Sequence, residues 1–546
     1  MAKQLLQILL FLLPALFFVH CAQVGSLSGG KRDLEPPKLL EASPASQSIN
    51  FNTDHVVLKF DEFIQLKDIN NQLVVSPKLK TMPEILSESR KITIVLKKED
   101  LQPNTTYKIY LGQAVADIHE NNAIRNFEYV FSTGAYIDSL KLKGTVFDAF
   151  NNKSVSDAIV ALYVSDKNND SLPYKEVPDY LGKTDESGQF SFNNLPRKTF
   201  KAYAFIDKNK NLIYDGETEK IGFFSDPLQL SSDSAISFNL FQEESSKGFV
   251  KRTNMPFYGL MQIVLNKKSL SALKPLDSRN KENIFETLVG EEKDTISVYY
   301  KSVTDTLALI LNNITQSKVD TLRIVIPKKN QRGKNTRAYE LNTLNSILSL
   351  GKKPTLVFSA WMDIQRADVL KMKLVSKEDS AINVSPVKGK WLDITHFEIA
   401  NELKEGVAYN LKIDTNAFFN INGVTNDSSS LNFKTQNKVE FGKVMLKMLF
   451  NKKQTYVVQL INDKEQVIRE SFVSFSLSAS NAVAINFVDV QPGSYQVKVI
   501  FDNNSNKKWD TGSLLSKKQA EQVIINSKQI KILSDWEIEE EILIKD

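Results

Sequence analysis

The feature that most constrains this 546-residue chain is that it repeats itself twice. Residues 101–134 align without a gap to residues 403–436, placing Tyr107 on Tyr409, Ile109 on Leu411, Leu111 on Ile413, Phe131 on Phe433 and Thr133 on Thr435. Residues 190–215 align in the same way to 485–510, with Phe192 on Phe487, Phe200 on Tyr495 and Asp207 on Asp502. The second kind of repeat follows the first both times, so the chain reads as modules A1 and B1, an unpaired segment C, then A2 and B2. A duplicated unit must bury a core of its own.

The residues inside the repeats say what kind of core. Val56, Leu58 and Phe60 alternate with polar neighbours, as do Ile92, Ile94 and Leu96, then Tyr107, Ile109 and Leu111, then Phe127, Tyr129 and Phe131. Period-two alternation in short runs bounded by Asn, Asp, Gly and Pro predicts half-buried antiparallel strands. At this spacing such strands build β-sandwiches, so the expected class is all-β, with tandem sandwiches in series. Segment C contributes predicted strands over 307–311 and 322–326, each introduced by Asp-Thr. A single helix is expected outside the leader, over 516–523, where Lys, Gln, Ala and Glu dominate.

The N-terminus predicts export. Lys3 precedes an apolar run over residues 8–19, broken only by Pro14 and ending just before Cys21. That is a signal-peptide pattern, and it falls short of the roughly 20 apolar residues a spanning helix needs. Cys21 is the only cysteine, which excludes an intramolecular disulfide, a thiolate metal cluster and any other thiol nucleophile. A thiol directly behind the apolar run is where lipid transfer needs its nucleophile. The arrangement resembles a bacterial lipobox, with Phe18, Val19 and His20 in place of the usual small residues, and it implies lipidation at Cys21. The alternative is an ordinary secretory signal with a cysteine near its cleavage site.

Residues 22–36 carry Gly25, Gly29, Gly30, Lys31, Arg32 and Asp33 and no hydrophobic period, which predicts a flexible tether. The expected division is signal peptide 1–20, tether 21–36, A1 37–135, B1 136–249, segment C 250–345, A2 346–437 and B2 438–546. A net charge of +5 is small for this length, and the lysines are spread along the chain. Nucleic acid is therefore not an expected partner.

In A1, the strand ending at Phe60 is followed by Asp61 and Glu62, then by a Leu101-x-Pro103-x-x-x-Tyr107 step, an Asp-rich turn over 117–122 and a closing Phe131-Ser-Thr133. This order resembles the SbsA-type bacterial Ig-like domain, and the step fits a tyrosine corner. A2 carries Glu405 where Pro103 stands. In B1, Gly144-Thr-Val-x-Asp148, the apolar residues 158–163, the Thr184-Asp-x-x-Gly188-x-Phe190 hairpin and Leu195-Pro196 are similar to carboxypeptidase-regulatory-like or transthyretin-like sandwiches. With Cys21, the glycine tether and the closing Trp536 segment, the whole resembles Ig-like lipoproteins of Bacteroidota-type bacteria. These motifs are structural and imply no activity.

One constellation carries possible chemistry. D-x-N-x-N-x-x-x-D occurs as Asp207, Asn209, Asn211 and Asp215, and again as Asp502, Asn504, Asn506 and Asp510. Oxygen groups at positions one, three, five and nine suit a calcium loop. Leu212 and Lys507 stand where its glycine belongs, Thr218 and Ser513 stand where its glutamate belongs, and Lys208, Lys210, Lys507 and Lys508 offset the carboxylates. Asx-rich turns that satisfy backbone amides are the preferred reading, with weak calcium binding as the alternative and no other cofactor expected.

Of the histidines, His55, His119 and His396 lie behind the leader, and none accompanies a nucleophile motif. No phosphate-binding loop, dinucleotide fingerprint or H-E-x-x-H occurs. Asp-Ser/Thr-apolar triplets begin at Asp138, Asp170, Asp233, Asp294, Asp305, Asp320 and Asp379. They resemble the O-glycosylation signal of Bacteroidota exported proteins, and strand-entry preference explains them as well. The expected function is a non-catalytic envelope lipoprotein held to the membrane by its lipid and binding a protein or glycan partner. Ala22, Gln23 and Val24 in place of acidic residues after Cys21 favour an outer-membrane protein facing the periplasm, with the cell surface as the other site. The alternative function is an accessory subunit of an envelope hydrolase.

Overall fold

The computed structural model describes residues 33–544 except 165–170, 246–248, 258, 267–271, 276–285, 290–293, 301–305, 314–317, 326–338, 379–380, 422, 453 and 476–481. The expected signal peptide, Cys21 and most of the expected tether lie outside the described residues. The chain is all-β. Among the described residues, helices are single turns such as Ile69–Gln72 and Leu172–Lys175.

A1 packs a sheet in the order Leu39–Ser43, His55–Phe60, Lys91–Val95 and Glu84–Glu88 against a sheet of Val74–Ser76, Thr106–Gly112 and Phe127–Ser132. The alternating residues of the four predicted strands are all buried and meet in one core. Burying a large apolar side chain contributes roughly 1.5–3 kcal/mol, and period two aims every second residue inward. A2 repeats the arrangement: Tyr339–Leu341, Thr355–Phe358, His396–Ile399 and Gly389–Trp391 face Ile347–Leu348, Ser429–Thr435, Ala408–Ile413, Met372–Glu378 and Ala381–Pro386. Its sheet begins at Tyr339, paired to Phe358, upstream of the boundary expected at 346. The short polar-flanked strand gave no alternation long enough to detect.

The two copies share register as well as topology. Tyr107 lies opposite Phe131, and Tyr409 opposite Phe433. Each pair stacks with ring centroids 5.4 Å apart.

B1 and B2 correspond strand for strand. B1 runs Leu140–Asp148, Ile159–Val164, Tyr180–Lys183, Gln189–Leu195, Thr199–Phe205, Lys220–Phe223, Leu228–Gln229 and Ser234–Gln242. B2 runs Gly442–Phe450, Thr455–Asn462, Val467–Val473, Ala482–Val490, Gly493–Asp502, Val523–Ile525, Ile530–Ile532 and Glu537–Ile544. In both, the first strand pairs antiparallel with the fourth and parallel with the eighth. Even the irregularity near the start of the first strand recurs, between Leu140 and Leu142 and between Gly442 and Val444.

In segment C the two predicted strands form Thr306–Asn313 and Lys318–Val325, paired antiparallel. The predicted helix over 516–523 does not form. Ser513 and Lys518 exchange backbone hydrogen bonds at 2.7 and 2.9 Å in a tight turn, and strand Val523–Ile525 follows. Helix propensity in so short a stretch is weaker than the tertiary contacts that fix this turn.

Candidate functional site

The two Asp/Asn loops follow the fifth strand of each B module, and the structure draws each set of four residues together. The carboxylate of Asp207 accepts the amides of Asn211 at 3.1 Å and Leu212 at 2.9 Å. Asp502 accepts those of Asn506 at 3.0 Å and Lys507 at 2.8 Å. Asn209 and Asn211 donate their side-chain amides to Asp215, and Asn504 and Asn506 donate theirs to Asp510. Carboxylates that accept several N–H groups close a turn without outside help.

The fourth and sixth positions are left-handed in both copies, at φ 61° and 60° for Lys210 and Leu212 and 59° and 66° for Ser505 and Lys507. Glycine adopts this conformation most readily, and other residues hold it at a cost on the order of 1–3 kcal/mol. The loops therefore keep the path that the missing glycine would favour, and the aspartate–amide bonds hold it.

Sequence spacing did not reveal a fifth member. Glu219 accepts the amides of Lys208 at 2.8 Å and Asp215 at 2.9 Å. Glu521 does the same for Asn503 at 2.7 Å and Asp510 at 3.0 Å. Both glutamates are almost fully buried. Burial pushes the Glu521 carboxyl above the usual range, and its two amide bonds pull the other way. The signal was hidden because Glu219 lies four residues after Asp215 whereas Glu521 lies eleven after Asp510. Among the described residues, no group of three His, Cys, Asp or Glu side chains is arranged to hold a metal ion.

The predicted tyrosine corner forms in both A modules. Tyr107 accepts the amide of Gln102 at 2.7 Å, and Tyr409 that of Lys404 at 2.8 Å. Thr133 and Thr435 complete it by donating to the carbonyls of Gln102 and Lys404 at 2.7 and 2.6 Å. The Asp-rich turn of A1 is closed by Asp117, which accepts from the amides of Glu120, Asn121 and Asn122. Burial works to raise its pKa, and the converging amides outweigh it, so the carboxyl titrates below the usual range.

The histidines do not come together. His55 is exposed beside Asp54, His119 is exposed in the Asp117 turn, and His396 holds Asp393 through Nδ1 at 2.8 Å. The Asp-Ser/Thr triplets at Asp138, Asp233 and Asp294 stand at strand entries: Leu140, Ser234 and Thr295 open strands, and Asp233 caps the amide of Lys141 at 2.9 Å. Asp320 lies within Lys318–Val325, while Asp170, Asp305 and Asp379 lie outside the described residues.

A2 ends in an open sheet edge. Among the described residues, Ala381–Pro386 pairs only with Met372–Glu378, and its Ile382 and Val384 are 69% and 60% exposed. Beside it runs a groove of about 550 Å³ lined by Ile347, Val375, Ile382, Tyr409 and Phe433 among others.

No curated protein matches this sequence. Among solved structures, the chain is similar to the major pilin subunit BcpA of Bacillus cereus, at 10% identity over 74% of this chain and 99% of that one, TM-score 0.13. It is also similar to the S-layer protein rSbsC(31-844), at 10% identity over 92% and 68%, TM-score 0.13. A Salmonella alpha-2-macroglobulin matches at 9% identity over 88% and 44%, TM-score 0.14. Scores this low bear on neither the arrangement of modules nor the function. The sequence of A1 speaks more directly: residues 33–133 match the bacterial Ig-like domain family.

Proposed function

We propose that this chain is a non-catalytic lipoprotein of the bacterial envelope, tethered through Cys21 and presenting its sandwiches to a protein or glycan partner. The observation that carries the binding role is the open edge of A2. Among the described residues, its strand leaves one side of the backbone unpaired and two large apolar side chains in solvent, beside an apolar groove. Natural sheets usually blunt such edges, and an added strand from a partner is one recognised way to cover one.

The non-catalytic reading rests on what the motif residues do. The tyrosines, threonines, aspartates and asparagines singled out by the repeats are committed to backbone groups of their own modules or to one another. Side chains so engaged position a fold. The lipid anchor rests on the leader and the lone thiol at Cys21.

The test is metabolic labelling with a fatty-acid analogue, together with surface proteolysis of intact cells, on wild type and Cys21→Ser. Label should enter wild type alone, and the chain should resist external protease if it faces the periplasm. Equal labelling of the variant would overturn the anchor.

A further inference from the structure

B1 and B2 share their strand order, and two of the loops in which they differ meet. Between its second and third strands B1 carries the extra turn Leu172–Lys175, where B2 has a tight hairpin around residues 463–466. Between Asp510 and Glu521 B2 carries an excursion that B1 lacks between Asp215 and Glu219. The excursion does not project into solvent. Leu514 at its tip is 2% exposed and joins the B1 cluster of Leu172, Tyr214, Phe223 and Phe241.

Directional contacts fix it there. Glu243 of B1 accepts the Leu514 amide through Oε1 at 2.7 Å, and Tyr174 and Tyr214 through Oε2 at 3.0 and 2.8 Å. Thr511 donates to the Gln242 carbonyl at 2.7 Å, and Gln519 to the Phe223 carbonyl at 2.8 Å. Gly512 lies flat on B1: a Cβ there would stand 2.5 Å from the Phe241 ring and 2.5 Å from the Lys518 carbonyl. Farther along the seam, Asn152 donates to the Val523 carbonyl at 2.8 Å, Lys153 pairs with Glu465, and Phe150 packs edge-on to Trp509 at 5.1 Å.

We infer that residues 511–520 are a clasp by which B2 docks onto B1 of the same chain, so that segment C and A2 form a loop closed at its base. The partner of this B1 surface is the excursion of its own duplicate. Specificity comes from the asymmetry, since only B2 has the clasp and only B1 has the Leu172–Lys175 turn that frames its seat. A buried leucine tip, a glycine that admits no side chain and a carboxylate with both oxygens engaged leave little tolerance for a different register. A pull between A1 and B2 then loads the clasp first, and segment C and A2 enter the load path only after it opens. The inference stands whether or not Cys21 is lipidated.

The full chain carrying Cys21→Ser has no thiol, so Lys153→Cys with Glu465→Cys supplies the only pair. A short bis-maleimide should close an intrachain product, seen as a mobility shift on a denaturing gel, in native buffer and not in urea. Gly512→Val and Leu514→Asp should each slow that reaction about tenfold or more, the equivalent of about 1.4 kcal/mol of docking. Leu515→Asp, at a residue 73% exposed, should leave it unchanged. Circular dichroism of each variant checks that the modules remain folded. Absence of the intrachain product, a cross-linked dimer in its place, or full reactivity in both folded clasp variants would overturn the inference.

Discussion

Tyr107 and Tyr409 hold the same corner in two modules far apart in the chain, each accepting a backbone amide from the residue five positions before it. The corner survives the change of Pro103 to Glu405 because its geometry is set by the strand pair and the threonine hydroxyl. The proline stiffens the approach to a turn that the tyrosine and threonine already define.

Replacing either tyrosine by phenylalanine should therefore cost its module roughly 0.5–1.5 kcal/mol, the worth of one hydrogen bond. Urea unfolding of Tyr107→Phe and Tyr409→Phe measures this. A loss in A1 with none in A2 would show that the second corner does not stabilise its module.

The Asp/Asn loops should behave as a matched pair. Asp207→Ala and Asp502→Ala each leave two amides without their acceptor, at a cost of roughly 1–3 kcal/mol. Melting in calcium and in chelator separates the two readings of the loops. A turn that closes itself melts at the same temperature in both buffers, whereas a calcium-dependent rise in wild type that both variants lose would establish a cation site.

Lys498 gives a pH dependence with a defined sign. It is 5% exposed, with its ammonium 3.1 Å from the centre of the Phe150 ring. Burial pushes its pKa down to about 8, against the opposing pull of Glu465 and Asp148. The unfolded lysine binds its proton more tightly, so stability from this group rises as pH climbs from about 8 toward the ordinary lysine value and is lost below. Lys498→Met should thus gain on wild type by up to the order of 2–3 kcal/mol at pH 7 and much less at pH 10. Paired thermal melts at the two pH values check it, and a gap that does not change with pH would refute it.

The open edge of A2 predicts a separation of binding from stability. Ile382→Lys and Val384→Lys alter exposed side chains, so melting should shift by no more than about 0.5 kcal/mol. Charge on the edge should suppress capture of an added strand. Comparing envelope cross-linking of wild type and the double variant reads this out, and unchanged cross-linking would remove the edge from the binding surface.

Much of the molecule was legible in the residues themselves. Alternation at Val56, Leu58 and Phe60, and at Tyr107, Ile109 and Leu111, fixed which side chains face inward, because a strand has only two faces. The gapless repeats foretold that Asp207 and Asp502 would do one job. The single cysteine excluded intramolecular disulfides before any fold was known.

Tertiary structure decided what linear spacing cannot carry. Glu219 and Glu521 close equivalent loops from different sequence distances, because a buried carboxylate need only reach the same amides in space. Residues 516–523 favour helix by composition, yet they follow a turn whose Leu514 is held by the core of another module. Periodicity reports the environment a residue makes with its neighbours in sequence. It is silent where the environment comes from Phe241 and Glu243, which approach only after B1 and B2 have folded.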